Sequence, residues 1–415
     1  MNREMMEIMR LMREGRLAEA TALIQRNLSQ GASSADTHTE VMDYLKQLQD
    51  RSGAAIPPVA EPIDVEVSEV SKQTPAEEGV GQGVPKQPFT PPDLTALRGL
   101  ADRLKAKMPA ARGQPSRKIS ADMIAPAVGR WLAGTYAGAT GTRAYKLYIP
   151  SSYHGQPLPL VVMLHGCTQS SDDFAAGTRM NFLAETEGLL VVYPEQAASA
   201  NHSRCWNWYQ SADQQRDQGE PSLIAGITRQ VMAEYHVAAG QVCIAGLSAG
   251  GAMAAILSTT YPDLYSVVGV HSGLAPGSAH DLQSALQAMQ RGGKSAGFPA
   301  TSRVIPLILF QGDQDSTVHP SNADEFIRKW LAGPDKPQMV VRQGQVAGGR
   351  SYTCAVYQTP GGQTAVERWT IHGAGHAWSG GSRNGSYTDS TGPDASQELI
   401  RFFRERLQRE VVSAA

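Results

Sequence analysis

Val242-Cys243-Ile244-Ala245-Gly246-Leu247-Ser248-Ala249-Gly250-Gly251-Ala252-Met253 is the stretch that decides the fold. An apolar, partly β-branched run enters a Gly-rich turn, and the Ala-rich run Met253-Ala254-Ala255-Ile256-Leu257 leaves it with helical character. Gly246-Leu247-Ser248-Ala249-Gly250 fits G-x-S-x-G, a pattern that carries chemistry only between a strand and a helix. Side chains at the flanking glycines would collide with neighbouring backbone. The turn is therefore sharp, and it holds Ser248 strained with its hydroxyl outward at the end of a parallel strand. The N–H of Ala249 then sits at a helix N-terminus, where the dipole and unpaired donors favour an anion. Five-residue patterns with two glycines also arise by chance, so the rest of the chain must supply a base, an orienting acid and a second oxyanion donor.

Short, continuous apolar runs recur on both sides of this stretch, at 160–164, 189–193, 267–270 and 307–310, and Tyr145 to Pro150 alternates as a strand. Helical spacing separates them at 174–187, 223–235, 249–260 and 323–331. Residues 366–371 supply a last strand and 396–407 a closing helix. Buried strands alternating with helices predict an α/β domain over 124–410, a mostly parallel sheet covered by helices on both faces.

Phe310-Gln311-Gly312-Asp313-Gln314-Asp315-Ser316-Thr317-Val318 follows a buried strand directly, which puts two aspartates at the sheet edge that carries the serine turn. Asp315 is the candidate acid, because Gly312-x-x-Asp315-x-x-Val318 matches the turn that aims an acid at the histidine in hydrolases of this kind. Asp313 reads as a turn former bonding its own backbone. Gly373-Ala374-Gly375-His376-Ala377-Trp378 follows the last strand and makes His376 the candidate base. His372-x-x-x-His376 has the spacing of half a metal site, but no second ligand pair accompanies it and the glycines argue for a loop, so no metal is expected. The order Ser248, Asp315, His376 is that of α/β-hydrolases. Leu164-His165-Gly166-Cys167-Thr168-Gln169 follows an early strand, where the loop that presents a second backbone donor belongs. The N–H groups of Cys167 and Ala249 are the expected oxyanion pair, and His165 is expected to buttress the loop. Trp378, beside the base, is read as a wall of the substrate groove. Trp206 and Gln169 are further candidates for substrate contact, although Trp206 and Trp208 could equally plug a loop together.

A chain of 415 residues with 41% hydrophobic content is long enough for a substantial core and for extensions beyond it. A net charge of −2 gives no sign of a nucleic-acid partner, and no apolar run is long enough to span a bilayer. Residues 1–50 read as a helical segment, with Met5, Ile8, Met9 and Met12 on one face. Residues 51–90 are rich in Pro, Gly, Val, Glu and Gln and read as a disordered linker; 91–123 read as a short docking helix and connector. The first ten residues interrupt their apolar positions with charges, so a cytoplasmic location is expected, with an extracellular one as the alternative. Four cysteines show no C-x-x-C; Cys243 reads as a buried hydrophobe, and a bridge between the loop residues Cys167 and Cys205 would conflict with a reducing cytosol.

From about residue 130 to 407 the chain resembles the polyhydroxybutyrate depolymerase family of esterases. The likeness rests on 164–169, Tyr193-Pro194-Glu195-Gln196, Cys205-Trp206-Asn207-Trp208, Arg216 with Gly219-Glu220, 246–253 and Gly375-His376-Ala377-Trp378-Ser379-Gly380-Gly381. It implies an α/β-hydrolase fold, no cofactor, Ser248 as nucleophile, Asp315 as acid, His376 as base and a Cys167–Cys205 disulfide. The expected activity is hydrolysis of short-chain polyhydroxyalkanoates or their oligomers, with a feruloyl or acetylxylan esterase as the alternative. A reading of another class makes the protein a granule-associated module that docks or self-associates through residues 1–50. Arg216, Asp217 and Glu220 are expected to tie loops together.

Overall fold

Every second residue of the strand Leu158–Leu164 faces the same core: Leu160, Val162 and Leu164 join one cluster, Val161 and Met163 another on the opposite side. A strand buried on both faces must lie inside a sheet sandwiched by helices. Each such Val or Leu contributes about 1.5–3 kcal/mol by leaving water.

The computed structural model describes residues 119–294, 305–332 and 337–414. The helical segment expected over 1–50, the linker over 51–90 and the docking helix near 94–104 lie outside them. Within them a short helix α1 (Ala121–Ile124) leads into β1 (Arg130–Gly138), β2 (Gly141–Ile149) and β3 (Leu158–Leu164). Helices α2 (Ser171–Thr178) and α3 (Met180–Glu187) precede β4 (Leu190–Pro194), and α4 (Gly219–Glu234) precedes β5 (Val237–Leu247). Then come α5 (Ala249–Thr260), β6 (Val267–His271), α6 (Leu282–Arg291), β7 (Leu307–Gly312) and α7 (Ser321–Trp330). Strands β8 (Gln338–Gln345), β9 (Ser351–Gln358) and β10 (Thr364–Ile371), two short strands β11 (Trp378–Ser379) and β12 (Thr388–Asp389), and α8 (Ala395–Ala414) complete the order.

The main sheet has ten strands in the order β1-β2-β4-β3-β5-β6-β7-β10-β9-β8. Its six central strands, from β4 to β10, run parallel. Antiparallel pairing joins β1 and β2 to one side and β9 and β8 to the other. The mostly parallel sheet expected from the apolar runs is therefore its centre. The edges went unread because β1 and β8 are largely exposed and lack a continuous apolar run. The helix expected over 174–187 is two helices, broken at Arg179, whose backbone is left-handed (φ 54°). The carboxyl ends of β3, β5, β6, β7 and β10, five neighbours in the sheet, deliver the loops that matter below.

Candidate active site

Strand β5 ends at Leu247 and helix α5 begins at Ala249, so Ser248 alone makes the turn. Its backbone takes φ 57°, ψ −120°, a strained conformation for a residue with a side chain. Two glycines make that turn packable. A Cβ on Gly246 would lie 2.4 Å from the Gly250 carbonyl, and one on Gly250 would lie 2.2 Å from Leu164 O in the neighbouring strand end. The Ser248 N–H donates to His271 O at 2.8 Å, which anchors the turn to β6. The Ser248 side chain makes no hydrogen bond among the described residues and is nearly buried.

The loop after β3 lies against this turn: a Cβ on Gly166 would sit 3.6 Å from Ser248 Cβ. Three of its N–H groups are engaged, Gly166 to Gln169 Oε1 (2.9 Å), Thr168 to Ser203 O (2.6 Å) and Gln169 to Gly166 O (3.3 Å). The Cys167 N–H has no acceptor among the described residues. Ala249, as the first residue of α5, has a backbone N–H without an intrahelical partner. A disulfide joins Cys167 to Cys205 and fastens the loop to the segment that carries Trp206. His165 is buried, and burial pulls its pKa below the usual value. Its Nε2 accepts from Gln196 N (3.0 Å), so Nδ1 carries the proton toward Gly166 O (2.8 Å). His165 braces the loop, as expected.

Strand ends β7 and β10 bring the acid and the imidazole together. His376 Nδ1 lies 2.8 Å from Asp315 Oδ2, in a contact whose side chains are 9% and 0% exposed. Burial raises the Asp315 pKa, but the His376 hydrogen bond and charge, with the Val318 and Thr317 N–H groups, bring it below the ordinary carboxylate range. The two loops interlock: a Cβ on Gly312 would meet Ala374 O at 2.4 Å. Asp313 does not bond its own backbone as expected. It accepts from Gly373 N (2.7 Å) and faces His372 Nδ1 (3.0 Å), while His372 Nε2 meets Thr353 Oγ1 (2.9 Å). Both aspartates after β7 thus pair with histidines after β10. No cluster of metal-ligating side chains occurs among the described residues.

The three side chains read as substrate contacts are buried, and each is spent on bracing. Trp378 donates from Nε1 to Ser396 Oγ (3.1 Å) and packs on Phe174 and His271. Trp206 donates to His165 O (3.1 Å), and Trp208 is buried beside it in the same core cluster. Gln169 donates to Asp173 Oδ2 (2.8 Å) besides holding Gly166. An indole beside a catalytic loop is as useful underneath it as in front of it, and sequence spacing does not separate the two. In the same loop Thr168 is exposed, and its hydroxyl meets that of the half-buried Tyr387 at 3.1 Å. Glu220 is a buried hub that accepts from Asn207 N (2.7 Å), Asn207 Nδ2 (2.8 Å) and Gln196, and it pairs with Arg143. Arg216 pairs with Asp263. Both tie loops together.

A strained serine between strand and helix, a neighbouring loop with a free N–H and an Asp–His pair from later strands sit on a sheet of the α/β-hydrolase fold. The solved structure of an acetyl xylan esterase from Aspergillus awamori shares this fold, at TM-score 0.51 and 17% identity over 66% of this chain and 98% of that one. Residues 143–334 match the family described as esterase PHB depolymerase. Poly(3-hydroxyalkanoate) depolymerase C of Paucimonas lemoignei is 32% identical over 244 residues, which are 55% of this chain and 57% of that one. A probable acetylxylan esterase A of Aspergillus clavatus is 27% identical over 201 residues, 44% of this chain and 64% of that one. Feruloyl esterase B of Neurospora crassa is 27% identical over 208 residues, 46% and 70%. The chain thus spans less than two-thirds of the length of the first two of these relatives.

Proposed function

We propose that this protein is a serine carboxylic ester hydrolase that works by double displacement. The observation that carries the reading is the buried Asp315–His376 pair, delivered to the same sheet edge as the strained Ser248. In this mechanism neutral His376, oriented by Asp315, takes the Ser248 proton as Oγ attacks the ester carbonyl. The carbonyl oxygen gathers charge and rests on the N–H groups of Cys167 and Ala249; one such donor contributes about 3 kcal/mol to the barrier lowering. The C–O bond breaks, and the alcohol leaves with the proton from His376. Water, deprotonated by the same imidazole, then attacks the acyl-enzyme, releases the carboxylic acid and returns the proton to Ser248. In the resting site no hydrogen bond joins Ser248 to His376; catalytic hydrogen bonds often form only with substrate bound.

The substrate we favour is a short-chain polyhydroxyalkanoate or its oligomers, supported by the family match and by the 32% identity to a poly(3-hydroxyalkanoate) depolymerase. The acetylxylan and feruloyl esterases among the relatives support an aryl or carbohydrate ester as the second reading. Intact-mass labelling with a phosphonate probe tests the chemistry: one adduct on the wild type, absent from Ser248→Ala, is expected. Faster cleavage of hydroxybutyrate oligomers than of feruloyl or acetylxylan esters separates the substrates. A wild type without an adduct would turn the reading toward a binding module docked through residues 1–50, tested by the localisation of a chain lacking residues 1–90. The Cys167–Cys205 disulfide supports an oxidising compartment over the cytoplasmic location first expected. No described helix is long and apolar enough to cross a membrane.

A further inference from the structure

His271 ends β6, between the strand that delivers the serine and the strand that delivers the acid. It is 1% exposed, and its ring is stacked on Phe310 (centroids 5.6 Å, planes 11° apart) and on Trp378 (5.2 Å, 26°). Its main-chain carbonyl receives the Ser248 N–H at 2.8 Å. Its imidazole Nε2 receives the Ser379 N–H at 3.0 Å, three residues beyond His376. A backbone amide can only donate, so Nε2 is unprotonated and Nδ1 carries the hydrogen, directed at Ser272 Oγ (3.1 Å). Ser272 is itself held in a left-handed conformation (φ 50°), with its N–H on Phe310 O (2.9 Å).

Resting on the Ser248–His376 reading, we propose that His271 is a positioning residue that sets the spacing between nucleophile and base. One residue grips the serine turn through its main chain and the base loop through its ring. The ring must stay neutral to keep this grip, and its surroundings ensure that it does. Burial and the nearby His376 charge push its pKa down to about 3, against the opposing pull of Asp315 and Asp389. Protonation at Nε2 would abolish the acceptor that Ser379 needs. A displacement of about 1 Å between reacting groups can lower a rate on the order of 100-fold, so a grip of this kind acts on turnover rather than on affinity.

Two substitutions at His271 test the role. His271→Phe keeps an aromatic ring in the stack and loses the acceptor, whereas His271→Gln places an amide oxygen near the position of Nε2. With p-nitrophenyl butyrate, H271F is expected to lose about 30-fold in kcat, with KM within about twofold and phosphonate labelling slowed by a similar factor. H271Q is expected to recover to within about fivefold of wild type. A phenylalanine variant that turns over like wild type, or a glutamine variant as slow as the phenylalanine one, overturns the proposal. Should H271F fail to fold, 15N-histidine NMR of the wild type decides: a neutral Nδ1–H tautomer from pH 5 to 8 upholds the grip, and an Nε2–H or charged ring refutes it. A wild type that takes no phosphonate adduct would remove the triad reading itself and this inference with it.

Discussion

At the residue scale, the site depends on a few atoms that have no substitute. Ser248→Ala removes the only hydroxyl that the turn presents, and kcat is expected to fall by about 10³–10⁶-fold with the fold intact, read by ester hydrolysis and circular dichroism. Asp315→Asn keeps the shape of the carboxyl but replaces an acceptor with a donor facing His376 Nδ1. The imidazole then loses its orientation and tautomer, and a drop of about 10³–10⁴-fold in kcat with little change in KM is expected. The placement of Ser248, Asp315 and His376 at one sheet edge was legible in the sequence because each stands within a Gly-marked loop behind an apolar strand. His271 was not singled out, although it too ends a buried strand at that edge. Its signal is positional only, since the residues around it carry no catalytic pattern. The bracing contacts of Trp378, Trp206 and Gln169 were not legible for the converse reason: adjacency in sequence does not say on which side of a loop a side chain packs.

At the element scale, the loop after β3 is held by a covalent bond where a hydrogen bond would leave it free to breathe. The disulfide closes a separation of 38 residues, which in the chain-entropy account restricts the unfolded state by about 4 kcal/mol. Reduction, or Cys205→Ser, is expected to lower Tm by several degrees and to lower kcat more than it raises KM. Scanning calorimetry and steady-state kinetics with and without reductant would check both. A reduced protein with unchanged kcat would show that Gln169 and Ser203 alone hold the Cys167 N–H in place. The helices expected over 223–235, 249–260 and 323–331 fall on α4, α5 and α7 with ends shifted by four residues at most, whereas α6 was not expected. Sequence could not show the break at Arg179, because its left-handed backbone occurs at a residue other than Gly or Asn.

At the scale of the whole molecule, acid should unfold the domain early. His165 and His271 are both buried with lowered pKa values. For a group held neutral in this way the unfolded chain binds the proton first, so stability is full above the unfolded histidine value near 6.5 and is lost as pH falls toward the folded one. His271, at about 3, makes that loss on the order of 5 kcal/mol over the window. The lowered carboxylates of Asp315, Asp313 and Asp389 add their share below about pH 4, as their unfolded forms take up protons. Urea midpoints at pH 7, 5 and 4 are expected to fall steadily, and His271→Gln should flatten the upper part of that slope. The sheet's rim is a second liability. Strand β8 ends the order and exposes Met339, Val340 and Val341. Val341→Lys is expected to reduce aggregation on heating, measured by light scattering, without altering kcat.

The hairpin turn between β9 and β10 lies at the amino end of β10, whereas His376 follows the carboxyl end of that strand. Gly361 in this turn has open space around it: an added Cβ would meet only Thr359 Oγ1, at 3.9 Å. Of the four cysteines in the chain, two are bridged and two are buried. Gly361→Cys would therefore create a single reachable thiol on the side opposite the candidate active site. Coupled to a bead or a film through that thiol, every copy would turn its candidate site outward, toward the solution.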